Sequence, residues 1–302
     1  MKQAVEVKPV QETFPPGAGP VQHTSGERAA TTPSEKIGRV LEVLRGRIAP
    51  QERFASAPRP SLPLGLEVLD SALPGHGLKT GALHEVLPAG HGDFAAGIGF
   101  GICLLARLLR ERPGKILWVV PNHMANREAA LYPPGLAALG LDPNRMIQVE
   151  ARKPIDVLWA LEEGLSHAPL AAVAGLLPDK ARAYDFAASR RLGLRAARHG
   201  VTALLMRDRH ACAENTAAET RWSVSTLPSH TLYPGQAGPG APHWRLQLLK
   251  CRQGLSRRLS QHWDVEWDHE TLSFRLPAPL ANRAADHAHW QRDASRRWAE
   301  AS

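Results

Sequence analysis

The chain has 302 residues, 43% of them hydrophobic, enough to bury one large α/β core or two modest ones, which argues against a fibrous or wholly disordered protein. Lys and Arg number 37 against 29 Asp and Glu, and the net charge of +8 suits an acidic or polyanionic partner. Three cysteines, odd in number, far apart and without a C-x-x-C pair, argue against a disulfide framework or a zinc ribbon and agree with a reducing cytoplasm.

Residues 1–31 are rich in Pro, Gly, Thr and Gln with hardly any apolar periodicity. They cannot bury enough surface to offset the entropy of ordering, so a disordered tail is expected, and they lack the apolar core of a secretory signal. A helix and linker are expected over 32–59. Thr32 is placed as N-cap, Pro33 at the first helical position and Glu35 to complete a capping box, after which Ile37, Val40, Leu41, Leu44 and Ile48 share one stripe. That stripe either packs on the chain's own core or hooks another subunit.

Residues 60–276 read as one core domain. Short β-prone runs fall at 82–87 (ALHEVL), 115–120 (KILWVV), 145–150 (RMIQVE), 170–177 (LAAVAGLL) and 201–207 (VTALLMR), separated by helical stretches at 93–112, 126–139, 154–166 and 180–199. Strands apolar enough to be covered on both faces, alternating with helices, predict an α/β domain with a mainly parallel central sheet. The runs TRWSVSTLP, HWRLQLLKCRQG and WDVEWDHETLSFRLP then read as antiparallel strands at the C-terminal end, with DHET (268–271) turning a closing hairpin. The most apolar run, 94–109, is shorter than the ~20 residues of a membrane span and reads as a buried helix, so no membrane partner is expected. Residues 277–302 form an Ala- and Arg-containing amphipathic extension.

Between Gly77 and Val120 the order is strand, glycine-containing loop, long apolar helix and second strand, the mounting of a phosphate-binding loop. A working loop curls N–H groups around phosphate, reaches it with a lysine and sets a hydroxyl on magnesium, all at a helix N-terminus. Here that position reads Gly90, His91, Gly92, Asp93, Phe94, without Gly-Lys-Ser or Gly-Lys-Thr. Asp93 is expected to satisfy the positive end of the helix dipole itself. At ~4 Å and an effective dielectric of ~20 it would repel each unit of phosphate charge by about 4 kcal/mol. Neither a bound cofactor nor hydrolysis is expected. Gly97, Gly99 and Gly101 lie inside the helix without dinucleotide-binding spacing and read as a close approach of helix to sheet. His76, His84 and His91 lack metal-ligand spacing, so no metal site is expected, and HEV at 84–86 reads as strand.

The runs LGLEVLDSALPGHGLKTGALHEVL (64–87), AAETRWSV (217–224) and WRLQLLKCRQG (244–254) resemble the ImuA family, RecA-related bacterial proteins, and the likeness covers about residues 60–276. The resemblance implies a RecA-like core and a part in DNA-damage-induced mutagenesis by translesion synthesis. It also implies partners: ImuB, an inactive Y-family-polymerase-like protein, together with an error-prone replicative-type polymerase, and RecA as a further candidate. RecA-like ATPases carry a glutamate after the second strand and an aspartate at the end of the Walker B strand. Here Pro121 and Asn122 follow the one, while Ala174 and Gly175 stand at the end of the other, with Asp179 only past a proline. Losing lysine, hydroxyl, glutamate and aspartate together points to a non-catalytic adaptor. Two alternatives stay open: a divergent nucleotide-dependent RecA-like ATPase, and a SulA-like inhibitor of cell division.

Binding chemistry concentrates in two places. Lys250, Arg252, Arg257 and Arg258, with Trp263 close behind, suit phosphate contacts and stacking of single-stranded DNA, or an acidic partner surface. Trp290, Arg296, Arg297 and Trp298 give the extension a hot-spot composition for docking a partner.

Overall fold

The structure, a computed structural model, describes residues 60–125, 130–177, 183–229, 240–252 and 261–277. The expected tail over 1–31, the helix and linker over 32–59 and the extension beyond Pro277 lie outside those residues. A small antiparallel ribbon, β1 (Ser61–Leu62) with β2 (Leu78–Lys79), encloses the one-turn helix α1 (Glu67–Asp70). Asp70 fixes this entry: its two carboxylate oxygens accept the N–H groups of Leu64 at 2.6 Å and Gly65 at 3.0 Å.

The main sheet contains β3 (Leu83–Pro88), β4 (Lys115–Pro121), β5 (Met146–Ala151), β6 (Leu170–Leu177) and β7 (Thr202–Arg207). It is completed by β8 (Thr220–Thr226), β9 (His243–Cys251), β10 (His262–Asp268) and β11 (Ser273–Arg275). Its nine strands stand in the order β11-β10-β9-β8-β3-β7-β6-β4-β5. From β8 to β5 every neighbouring pair is parallel, and β9, β10 and β11 add an antiparallel edge. The expected α/β class and mainly parallel sheet are therefore present. One strand differs: the run TRWSVST is β8, which is parallel to β3 on one side and antiparallel to β9 on the other.

The helices are α2 (Phe94–Glu111), α3 (Asn122–Ala125), α4 (Pro133–Ala138), α5 (Pro154–Gly164) and α6 (Phe186–His199). Of the helix expected over 126–139, residues 126–129 lie outside the described residues, 130–132 are not helical, and the helix starts at Pro133 after extended backbone at Tyr132. The helix expected from 180 begins at Phe186, where the Asp185 side chain accepts the Ala188 N–H at 2.7 Å as N-cap.

One face of the sheet is covered by α2 and an aromatic cluster. Trp118, Trp222, Trp244, Trp263, Trp267, Phe100 and Phe274 are all buried there, with Phe274 5.5 Å from Phe100 and 5.0 Å from Trp267 between ring centres. Gly101 of α2 permits the approach: a Cβ there would come within 3.2 Å of Met206 Sδ. On the other face α5 packs on β4, β5 and β6, and α6 on β7 and β3. Over β8 and β9 that face is left to Ser223, Ser225, Arg245 and Gln247, none of them buried.

Glu85, fully buried on β3, ties this second face together. Its Oε1 accepts the Tyr184 hydroxyl at 2.5 Å and the Thr216 hydroxyl at 2.6 Å, and its Oε2 accepts Arg221 Nε at 2.7 Å. Arg221 Nη1 donates onward to the carbonyls of Cys212 and Glu214, at 3.2 Å and 2.8 Å. Arg207 stacks over the Tyr184 ring at 4.4 Å and donates to Glu214 Oε2 at 2.8 Å. Burial, and then the Glu85 carboxylate, push the Tyr184 phenol well above its ordinary value, so it stays a donor.

On the opposite face His84 is equally enclosed. Its Nε2 lies 2.8 Å from the Lys79 carbonyl, which can only accept, so the proton sits on Nε2. Nδ1 then accepts from the Thr220 hydroxyl at 2.8 Å, and that oxygen accepts Trp222 Nε1 at 2.9 Å. Burial lowers the imidazole from its ordinary 6.5 to about 4.

Glu85→Ala is expected to lower the unfolding free energy by about 3–5 kcal/mol, since it leaves the Arg221 charge buried without its partner. The double variant Glu85→Leu with Arg221→Met should lose less than the sum of the single changes in urea unfolding; an additive loss would mean the two side chains act separately. His84 stays neutral when folded but takes up a proton when unfolded, so its contribution is complete above pH 6.5 and is lost as pH falls towards 4. Between about pH 7.5 and pH 5 this should remove about 2 kcal/mol, read as the difference in slope between the wild-type chain and His84→Gln.

Candidate functional site

Two places in this fold carry the chemistry expected from sequence, and they lie at opposite ends of β3. At its C-terminal end, where open parallel sheets commonly seat ligands, residues 89–93 lead into α2. The turn closes with the Asp93 N–H on the Gly90 carbonyl at 3.3 Å, and no residue from Ala89 to Asp93 has a positive φ. The concave nest of amides that holds a phosphate alternates right- and left-handed residues, so this backbone does not form one. Asp93 Oδ2 accepts the Gly90 N–H at 2.9 Å, and Oδ1 accepts the Thr226 N–H, at the end of β8, also at 2.9 Å. Asp93 stands at the N-cap position of α2, where its charge faces the positive end of the helix dipole, but its side chain makes no hydrogen bond to the amides of α2 and bonds back across the turn to Gly90 and Thr226. His91 and Gly92 are exposed, whereas Phe94 packs against the aromatic core. Leu177, not Gly175, ends β6, and Pro121 ends β4 before Asn122 opens α3.

At the N-terminal end of β3 lies a cleft of about 170 Å³ between one flank of α6 and the strands. Its lining includes Lys79, Arg190, Lys250, Arg252, Phe186 and Glu219. Lys79 pairs with Glu219 at 3.5 Å. A bulge at Leu249 of β9 sets Lys250 opposite Arg221, and the Lys250 ammonium donates to the Thr216 carbonyl. Two cations directly across a pair of strands repel, which the Glu85 carboxylate on Arg221 relieves. Burial first, then Arg221 and Arg252, still hold the Lys250 ammonium below its ordinary value.

Of the four basic residues expected to act together, Lys250 and Arg252 meet in this cleft; Arg257 and Arg258 lie outside the described residues, as do Trp290, Arg296, Arg297 and Trp298. Trp263 is corrected. It is buried 6.4 Å from Trp222 and cannot stack on a ligand. The alternation Trp263, Val265, Trp267 on β10 carries that signal, since period-two neighbours share the core face. The aromatic in the cleft is Phe186, half-exposed on α6, with Arg190 one turn on. No spacing in the sequence joins these two to Lys250, because only the packing of α6 on β3 and β7 brings them to the same cleft. Among the described residues no helix is long and apolar enough to cross a membrane, and no group of three or more His, Cys, Asp or Glu is placed to hold a metal ion.

No protein-family model matches the chain. Curated relatives do: protein ImuA of Caulobacter vibrioides strain NA1000 / CB15N, and protein ImuA of the strain ATCC 19089 of the same species, are each 32% identical over 245 residues. The match spans 76% of this chain and 94% of each relative. With that identity and that extent of likeness, the chain belongs to the ImuA family.

Proposed function

We propose that the chain is a non-catalytic adaptor on a RecA-like core in DNA-damage-induced mutagenesis, where it joins an ImuB-like inactive Y-family polymerase to RecA or to an error-prone replicative-type polymerase. Family membership supports the setting. The observation that carries the non-catalytic part is the engagement of Asp93: both its oxygens are taken by backbone N–H groups, one of them an amide of the turn that would have to receive phosphate.

Phosphoryl transfer depends on positioning and on neutralising charge, with little covalent chemistry left to the protein. At this turn a phosphate meets a carboxylate where a lysine is needed. Pro121 and Leu177, the last residues of β4 and β6, present no carboxylate for water or magnesium. The six parallel strands, with the loop after the central β3 turning into the long helix α2, suit a RecA-like core whose remaining use is to carry surfaces.

Titration of the full chain with a fluorescent ATP analogue and Mg²⁺ is expected to give no saturable binding below roughly 1 mM, in line with a repulsion of about 4 kcal/mol. Micromolar affinity lost in Asp93→Ala or His91→Ala would instead establish a divergent ATPase. A tagged chain recovered from damage-treated cells should bring down polymerase components; recovery of the division GTPase in their place would establish a SulA-like inhibitor.

A further inference from the structure

The cleft at the N-terminal end of β3 has features that adaptor work alone does not use, and we propose that it binds a single strand of DNA, its phosphates on Lys250, Arg252 and Arg190 and a base on Phe186. The choice of DNA rests on the family setting; the cleft itself is argued independently of the Asp93 turn.

Charge comes first. Four cations, Lys79, Arg190, Lys250 and Arg252, face one carboxylate, Glu219, and that carboxylate is paired with Lys79 at 3.5 Å. Among the described residues the guanidinium groups of Arg190 and Arg252 have neither a side-chain hydrogen bond nor an ion pair. Lys250 is part-buried with its ammonium on the Thr216 carbonyl, and together with Arg190 and Arg252 it leaves the recess net positive, which suits an entering anion.

The α6 wall supplies the second argument. Phe186 is 50% exposed at the cleft, and Gly193, Leu194 and Ala197 continue the same flank. Gly193 sits in the interior of a helix, where glycine is unfavourable, yet neither conformation nor packing requires it. Its φ is not positive, and the nearest atom to an added Cβ would be Leu83 Cβ at 4.0 Å. What the missing side chain leaves is a flat apolar strip beside the cations. An aromatic and a flat strip next to recessed positive charge match the alternation of base and phosphate in a nucleic acid strand. An acidic peptide would use the cations and leave the strip idle.

The full chain is titrated into a fluorescein-labelled 20-mer of thymidylate, followed by anisotropy at several salt concentrations, with thermal melts as folding controls. The wild-type chain should bind, and Arg190→Glu with Arg252→Glu should weaken binding at least about tenfold and flatten the salt dependence by roughly 0.7 for each phosphate no longer engaged. Phe186→Ala should weaken binding at least about fivefold. Gly193→Leu, which alters no charge, should weaken binding while the melting temperature stays level or rises. The proposal is overturned if the wild-type chain does not bind at low salt. It is overturned equally if the variants with unchanged charge bind like the wild type, which would mean diffuse surface attraction, or if a polyglutamate peptide or a duplex displaces the strand at equal concentration. Adaptor function is read separately, by partner recovery.

Discussion

A buried carboxylate in the middle of the sheet sets the terms for the rest of this molecule. Glu85 belongs to β3, yet its partners come from the segment before α6 (Tyr184), the segment before β8 (Thr216) and β8 itself (Arg221). Such a group is costly to bury and is stabilised only when every partner arrives together. It therefore ties three separate stretches of chain to one strand position. A slip of β8 by one residue would turn Arg221 towards the tryptophan face and leave Glu85 uncompensated, so the pair fixes register as well as contributing energy.

From that fixed register both candidate sites follow. Towards the C-terminal end of β3, β8 finishes where the Thr226 amide reaches Asp93 and holds the turn shut. Towards the N-terminal end, Arg221 lies opposite Lys250, and the Thr216 backbone receives the Lys250 ammonium. The opposite face adds a second lock through the same strands, in which His84 joins the Lys79 carbonyl to Thr220 and Trp222. One strand pair thus closes one end of the sheet and shapes the recess at the other.

Much of the architecture is legible in the sequence because strands covered on both faces are continuously apolar, as in LAAVAGLL, whose expected bounds coincide with β6. Gly101 of α2 is legible too, as a cost that close packing on Met206 and Leu204 explains, whereas Gly97 and Gly99 stand at ordinary contact distance. Less visible are β1 and β2, two residues each, because their pairing depends on the Asp70 clasp and not on any periodicity. The non-helical residues 130–132, within the helix expected over 126–139, follow from Pro133 and Pro134, whose effect an apolar pattern obscures. At the cleft, Lys250 and Arg252 are adjacent enough in sequence to be noticed, whereas Phe186 and Arg190 join them only through the packing of α6 on β3 and β7.

The shape of the Asp93 turn also bears on how such a protein can change over generations. A lysine placed at this position would add the missing cation but would strip two backbone amides, those of Gly90 and Thr226, of the acceptor they share. Such a variant has a loosened junction between β8 and the turn, whatever affinity for phosphate it gains. The carboxylate works as a structural fastener, so replacing it costs assembly of this corner before any new ligand chemistry can be gained.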